Sequence, residues 1–299
     1  MVPFKILDGS MGSELINRGL ILPEHIWSAD ANITSPDMVE KIHSEYVAAG
    51  ADYITANTFR TTTRAYKKTV GRRGAGYRNH DAALAARTSL HKGVELAKNV
   101  ASNYVKVAGS IAPLEDCYSP DLFPCVDVAI AEFNQLGEWL TKAGVDILLL
   151  ETMNSIVETE AALIGTRNLG LPVWVSFVLK DSRHLLSGDS LTDAFNRIKD
   201  YAIDTVLLNC NTLDLTLVAT EILVTDCPHK WGVYPNLGIG DPSPDGHILN
   251  CEKMDRFLST MKKIIALGPS VMGGCCGSSP HHISKLFELK RQADLFSKV

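Results

Sequence analysis

The chain has 299 residues, of which 45% are hydrophobic and 21% charged, with a formal net charge of −5. That balance excludes a chain disordered over its length, which would be poorer in apolar residues and more highly charged. No run of like charges occurs that would mark a nucleic-acid footprint: the densest basic stretch, Lys67, Lys68, Arg72 and Arg73, sits in a glycine-containing loop. The opening MVPFKILDGSMG lacks the apolar core of a signal peptide, and no apolar stretch is long enough to span a bilayer, so the expectation is a cytoplasmic protein without a membrane partner. Seven cysteines, an odd number in a long chain, argue against a secreted disulfide framework.

One pattern recurs along the chain: a short β-rich run, a turn, then an amphipathic helix. Strands are expected to begin near Phe4, Ala51, Tyr104, Val145, Val173, Thr205, Trp231 and Ser270. Helices are expected over Pro36 to Ala49, His80 to Val100, Val128 to Ala143, Ile156 to Leu169, Leu191 to Tyr201, Leu213 to Val224, Cys251 to Leu267 and Pro280 to Phe296. Ser35, Asp127, Ser155, Ser190 and Ser279 stand where N-caps belong, the last followed by Pro280 at the first helical position. Eight βα units of about 37 residues each are the arithmetic of a single-domain α/β fold, a (β/α)8 TIM barrel over residues 1–299. Apolar runs such as Ile147 to Leu150 suit parallel strands buried on both faces. A doubly wound dinucleotide-binding sheet would carry G-x-G-x-x-G after its first strand, and that pattern is absent. The segments Gly12 to Ser35 and Thr61 to Asn79 read as long irregular loops.

After each strand comes a cluster of small, polar or thiol residues, which a barrel gathers at its C-terminal face, where active sites form. They include Asp8-Gly9-Ser10-Met11-Gly12, Asn57-Thr58-Phe59, Glu151-Thr152, Asn209-Cys210-Asn211, Tyr234-Pro235-Asn236 and Gly273-Gly274-Cys275-Cys276-Gly277. Cys210 ends the sixth strand, and the Cys275–Cys276 pair follows the eighth. Three thiolates there suit a zinc site with one open position, the mark of a catalytic rather than a structural zinc. Cys117, Cys125, Cys227 and Cys251 lack such a setting and read as structural or surface thiols. His281 and His282 read as helix-surface residues, and His25 and His43 have no partner that spacing identifies. Glu151 and Asp8, acidic groups at the ends of apolar strands, suit an amine or a structural ion pair equally on composition. The backbone N–H groups of Gly9 to Gly12 suit a carboxylate. Trp27 lines a ligand pocket or pins its loop.

Together, LDGSMG, ANTF, GSIAP, LETM, NCN, YPNLG and GGCCG, in that order over nearly the whole chain, resemble the homocysteine S-methyltransferase family. The resemblance implies a (β/α)8 barrel in which Cys210, Cys275 and Cys276 bind Zn²⁺. It further implies that Asp8 and Glu151 hold the amino group of homocysteine, with Gly9, Ser10, Met11, Thr58 and Asn209 completing the substrate pocket. Trp27, Arg60, Thr152 and Tyr234 fall where the methyl donor would bind. The implied chemistry is attack by a metal-held substrate thiolate, with no protein nucleophile. Betaine-using members place aromatics in the donor pocket; here Arg60 follows Phe59 and Thr152 follows Glu151, which favours a sulfonium donor, S-methylmethionine or S-adenosylmethionine, over betaine. Folate-using members carry further domains, for which 299 residues leave no room. The readings from other classes are a zinc-dependent barrel hydrolase, disfavoured by strand ends without histidine, and a non-catalytic zinc-binding or redox-sensing protein. The expected partners are small molecules, and the expected assembly is a monomer or small homo-oligomer.

Overall fold

Parallel strands cannot be joined by tight turns, so each is followed by a helix that returns the chain to the opposite end of the sheet. In the computed structural model, which describes residues 4–69, 79–240, 243 and 246–296, this produces an eight-stranded parallel sheet. In chain order its strands are Lys5–Ile6, Tyr53–Ala56, Lys106–Ile111, Ile147–Met153, Val173–Phe177, Ile203–Asn209, Lys230–Tyr234 and Val271–Met272. Neighbours in sequence are neighbours in the sheet, and the first strand pairs with the eighth. The sheet closes on itself where Leu7 bridges Tyr53, with Asp8 N–H donating to the Tyr53 carbonyl at 3.0 Å and Asp52 N–H to that of Ile6 at 2.8 Å. The fold is therefore a (β/α)8 barrel.

All eight strands begin within two residues of their expected starts. The helices Pro36–Ala48, Asn79–Val100, Val126–Ala143, Ile156–Thr166, Leu191–Ile198, Leu213–Asp226, Met254–Ile265 and Pro280–Phe296 follow them. Ser155 and Ser190 cap their helices through the N–H of Glu158 and Asp193. Ser35 holds the cap position without a side-chain bond, and Asp127 lies inside its helix, whose cap position is Cys125. An antiparallel hairpin, Leu179–Asp181 with His184–Leu185, extends from the end of the fifth strand. None of the helices among the described residues is long and apolar enough to cross a membrane.

The two expected irregular loops are corrected by the structure. The first contains a helix, Met11–Asn17, a 3-10 turn, Trp27–Asp30, and a short helix, Ala31–Thr34. The second contains the helix Thr63–Lys68, while the Arg72–Arg73 part of the basic stretch lies outside the described residues. These helices are too short to show a periodic apolar stripe; Ser10 and Thr62 start two of them by accepting from the N–H of Ser13 and Ala65.

Asn57, directly after the second strand, fixes the first of these segments. Its Nδ2 donates to the Ser28 carbonyl at 2.7 Å and to Asn32 Oδ1 at 2.8 Å, and its Oδ1 accepts from Ser28 Oγ at 2.6 Å. Asn32 in turn donates to the carbonyls of Asn57 and Ser89. All four side chains are buried, so no water replaces a lost partner. Asn57→Ala should cost about 2–4 kcal/mol of stability by stranding Ser28 and Asn32. Chemical denaturation checks this, and a loss below about 0.5 kcal/mol contradicts it.

Candidate active site

Alternate residues of a strand point to the same side. Leu7, Ala108, Ile147, Leu149, Trp174, Leu207, Tyr234 and Val271 cluster inside the barrel, apart from the larger core between strands and helices. Two residues further along, the same alternation brings Ser110, Glu151, Ser176 and Asn209 to the lumen. An apolar floor therefore carries a polar tier at the C-terminal mouth.

These polar groups satisfy one another across strands. Ser110 Oγ donates to Glu151 Oε1 in a short hydrogen bond, and Tyr234 OH donates to Oε2 at 3.3 Å. Thr55 donates to both oxygens of Asp8, from its N–H at 2.8 Å and its hydroxyl at 2.9 Å. Burial pushes the Asp8 carboxyl up to about 8, against the lowering effect of the Thr55 bonds and with Glu151 adding to the rise. Burial likewise raises Glu151 to about 7, opposed by Ser110 and reinforced by the charge of Cys210. Two carboxyl groups held near neutrality in one cavity are poised to ionise when a cation arrives.

The three cysteines of the NCN and GGCCG segments converge beside this tier. Their sulfurs are separated by 2.7 Å (Cys210–Cys275), 3.6 Å (Cys210–Cys276) and 4.0 Å (Cys275–Cys276). Zinc–sulfur bonds of about 2.3 Å at the tetrahedral angle hold sulfurs about 3.8 Å apart. Two separations match that geometry, and the third needs Cys210 and Cys275 to part by about 1 Å. The donor set fits a metal, and no histidine or carboxylate joins it among the described residues.

Backbone bonds explain how two adjacent cysteines are aimed. Cys275 N–H donates to the Pro235 carbonyl, Leu237 N–H to that of Cys276, and Gly274 N–H to that of Asp8. Ser278 Oγ donates to the Cys275 carbonyl at 2.6 Å and accepts from Ser10 N–H at 3.1 Å. A Cβ on Gly274 would lie 2.5 Å from that of Ser278, so only glycine admits this closure. Cys210 itself has φ 57°, in the left-handed region, as do Thr152 at 60° and Trp27 at 47°. Among the described residues these three are the only non-glycine positions there, and two of them, Thr152 and Cys210, stand at the ends of the fourth and sixth strands. Asn209, fully buried, holds Thr152 in place: its Oδ1 accepts from the Thr152 N–H and from Ser176 Oγ, and its Nδ2 donates to Thr152 Oγ1.

The remaining candidates are placed as follows. Thr58 donates its one hydroxyl hydrogen to the Ser110 carbonyl and accepts from Ser110 N–H. Gly9 packs where a Cβ would meet Tyr46 and Ser278, Ser10 caps the helix Met11–Asn17, and Met11 begins it. The Trp27 ring lies between Gly12 and Gly246. Arg60 reaches into the loop after the third strand, donating to the Glu115 carbonyl at 2.5 Å with Cys117 Sγ at 3.9 Å. Tyr118 in that loop carries no motif in the sequence, yet its hydroxyl stands 3.5 Å from Cys210 Sγ. Of the other cysteines, Cys117 is buried, Cys227 half-buried, and Cys125 and Cys251 exposed. His281 is exposed, and His282 contacts Ser279 rather than the thiols.

A (β/α)8 barrel with three cysteines converging beside carboxylates at its C-terminal mouth has the makings of a thiol-ligated metalloenzyme. The family model described as homocysteine S-methyltransferase matches residues 5–289, and the chain belongs to that family. It is 30% identical to the homocysteine S-methyltransferase of Escherichia coli (strain K12), over 94% of this chain and 93% of that one. It is 27% identical to a selenocysteine Se-methyltransferase of Brassica oleracea var. italica, over 98% and 91%. The crystal structure of the E. coli homocysteine methyltransferase MmuM superposes in its oxidized form with a TM-score of 0.80 at 26% identity, covering 96% of each chain. Its metallated form gives 0.79 at 27% identity over 94% of each.

The raised Asp8 carboxyl makes stability pH-dependent. The folded state keeps this proton up to about pH 8, whereas the unfolded chain releases it near 3.8. Across that window the folded state binds more protons, so this group's contribution to stability falls as pH rises. In chelator-treated protein, the stability of wild type relative to Asp8→Asn should therefore drop between pH 5 and pH 8. A difference independent of pH would remove Asp8 from this role.

Proposed function

We propose that this methyltransferase moves a methyl group from a sulfonium donor, S-methylmethionine or S-adenosylmethionine, to the thiol of homocysteine at a zinc ion held by Cys210, Cys275 and Cys276. The observation that carries the reading is the convergence of three thiols, all within 4.8 Å of one another, beside two near-neutral carboxyl groups. When bound, zinc supplies the Lewis acidity that keeps a substrate thiol deprotonated at neutral pH. Three protein thiolates leave the centre with one net negative charge, so a substrate sulfur held there stays electron-rich.

The chain's own residues then bind and orient. Glu151 and Asp8 receive the substrate ammonium; its charge pulls both carboxyl groups back toward ionisation, and Ser110, Tyr234 and Thr55 hold their oxygens in place. The turn Gly9 to Met11 faces the substrate carboxylate, while Thr58 and Asn209 hold the neighbouring strand ends in register. Trp27, Thr152 and Tyr234 shape the donor side, and Arg60 serves it by bracing the loop of Tyr118. In the transfer, the substrate sulfur forms a bond to the methyl carbon as the donor's carbon–sulfur bond breaks, and the donor leaves as a neutral thioether. No protein nucleophile or general base takes part.

Three experiments test this. Incubating the zinc-loaded protein and homocysteine with S-methylmethionine, S-adenosylmethionine or betaine in turn should yield methionine from a sulfonium donor and none from betaine; methionine from betaine alone would overturn the donor assignment. Glu151→Gln should raise the homocysteine KM by about ten-fold or more, the worth of a charge-assisted hydrogen bond, with zinc content unchanged. An unchanged KM would take Glu151 out of the ammonium pocket. Cys276→Ser should lose the zinc, measured by elemental analysis.

A further inference from the structure

The loop after the third strand is held far more firmly than an exposed loop requires. Arg60 donates to the Glu115 carbonyl, Arg64 Nη1 donates to Glu115 Oε1 at 3.0 Å, and Lys68 pairs with the same carboxylate. From the fourth strand's side, Glu158 accepts from Leu114 N–H at 2.8 Å, and Asn154 donates to the Cys117 carbonyl at 3.1 Å. Arg60, Arg64 and Lys68 come from the segment after the second strand, so two separate strand-end segments grip residues 114–117. Glu158 is committed in an uncommon way: with Ser155 it forms the S-x-x-E pattern of a capping box, yet its carboxylate reaches across to Leu114.

What this clamp delivers is Tyr118. The residue is 54% exposed, but its hydroxyl lies 3.5 Å from Cys210 Sγ. Among the described residues it is the only side chain other than a cysteine that hydrogen-bonds to any of the three sulfurs. We propose that Tyr118 is a positioning residue of the thiol centre, donating its hydroxyl hydrogen to the Cys210 sulfur, and that the clamp led by Arg60 acts by holding it there. This rests on the metal reading above.

The chemistry gives such a donor a purpose. With zinc and a substrate thiolate bound, four anionic sulfurs would face one dication, and the centre would carry two net negative charges. A hydrogen bond to one protein thiolate compensates its negative charge, keeps that sulfur deprotonated in competition with protons and fixes it where the metal needs it. A phenol supplies this without adding charge, since with an ordinary pKa of about 10 it keeps its hydrogen at neutral pH.

Tyr118→Phe keeps the ring and removes only the hydroxyl. Zinc affinity is read by competition with a chromophoric chelator, and the cobalt-loaded protein reports the sulfur-to-metal charge-transfer absorption. The expected result is zinc binding weakened about ten-fold and a charge-transfer band shifted to lower energy, because an unbonded thiolate gives up its electron more readily. Arg60→Met should reproduce part of both changes, and the double variant should be no weaker than Tyr118→Phe alone. If wild type shows the cobalt–thiolate band while Tyr118→Phe matches it in band energy and zinc affinity, Tyr118 has no such role and the metal reading stands. If wild type shows no such band, the metal reading falls and takes this inference with it.

Discussion

A strand in a closed barrel has only two sides, and every second residue must enter the lumen. That constraint governs the site. Because Ile147, Leu149, Leu207 and Trp174 fill the lumen below, the polar tier above them has no water on its lower side. Glu151 and Asp8 are left to hydrogen bonds from Ser110, Tyr234 and Thr55, which satisfy their oxygens but supply no positive charge. Their raised protonation equilibria are the direct electrostatic result, and an ammonium is the complement that this tier lacks.

The mouth is assembled from two frames that meet at Cys210. One ties the first, seventh and eighth strand ends together through the backbone of Asp8, Pro235, Leu237 and Gly274 and the hydroxyl of Ser278, and it fixes Cys275 and Cys276. The other ties the second, third and fourth strand ends through Thr58, Arg60, Asn154 and Glu158, and it fixes Tyr118. Cys210 stands between them in a left-handed conformation beside Asn209, whose amide reaches the fourth and fifth strands. The cost of those unfavourable conformations is borne where frames of different origin must bring sulfur atoms to one point.

This explains what was and was not legible in the sequence. The strands and long helices were, because burial on both faces writes apolar runs and helical stripes that survive without knowledge of the fold. The cysteine trio was too, since GGCCG and a strand-end cysteine place thiols where a barrel gathers them. The work of Asn209, Thr58 and Arg60 was not. A polar residue at a strand end looks the same in sequence whether its hydrogens reach a substrate or a neighbouring strand, and only geometry counts those hydrogens. Tyr118 was hidden for a related reason: its position depends on Arg60 and Glu158, which are distant from it in the chain and carry no local pattern.

Charge bookkeeping at the mouth bears on the donor. In the proposed transfer an anionic sulfur and a cationic sulfonium become two neutral thioethers. Water stabilises separated charges and so slows a reaction that destroys them; a site that replaces water with fixed dipoles gives up that ground-state stabilisation. The apolar floor keeps water from the lower side of this reaction centre. With zinc bound, the net negative thiolate centre would draw a cation in before the charges cancel. A neutral methyl donor would gain from neither effect. The same features that perturb Glu151 and Asp8, a closed lumen and a concentration of anionic groups, therefore suit the cationic donor proposed above.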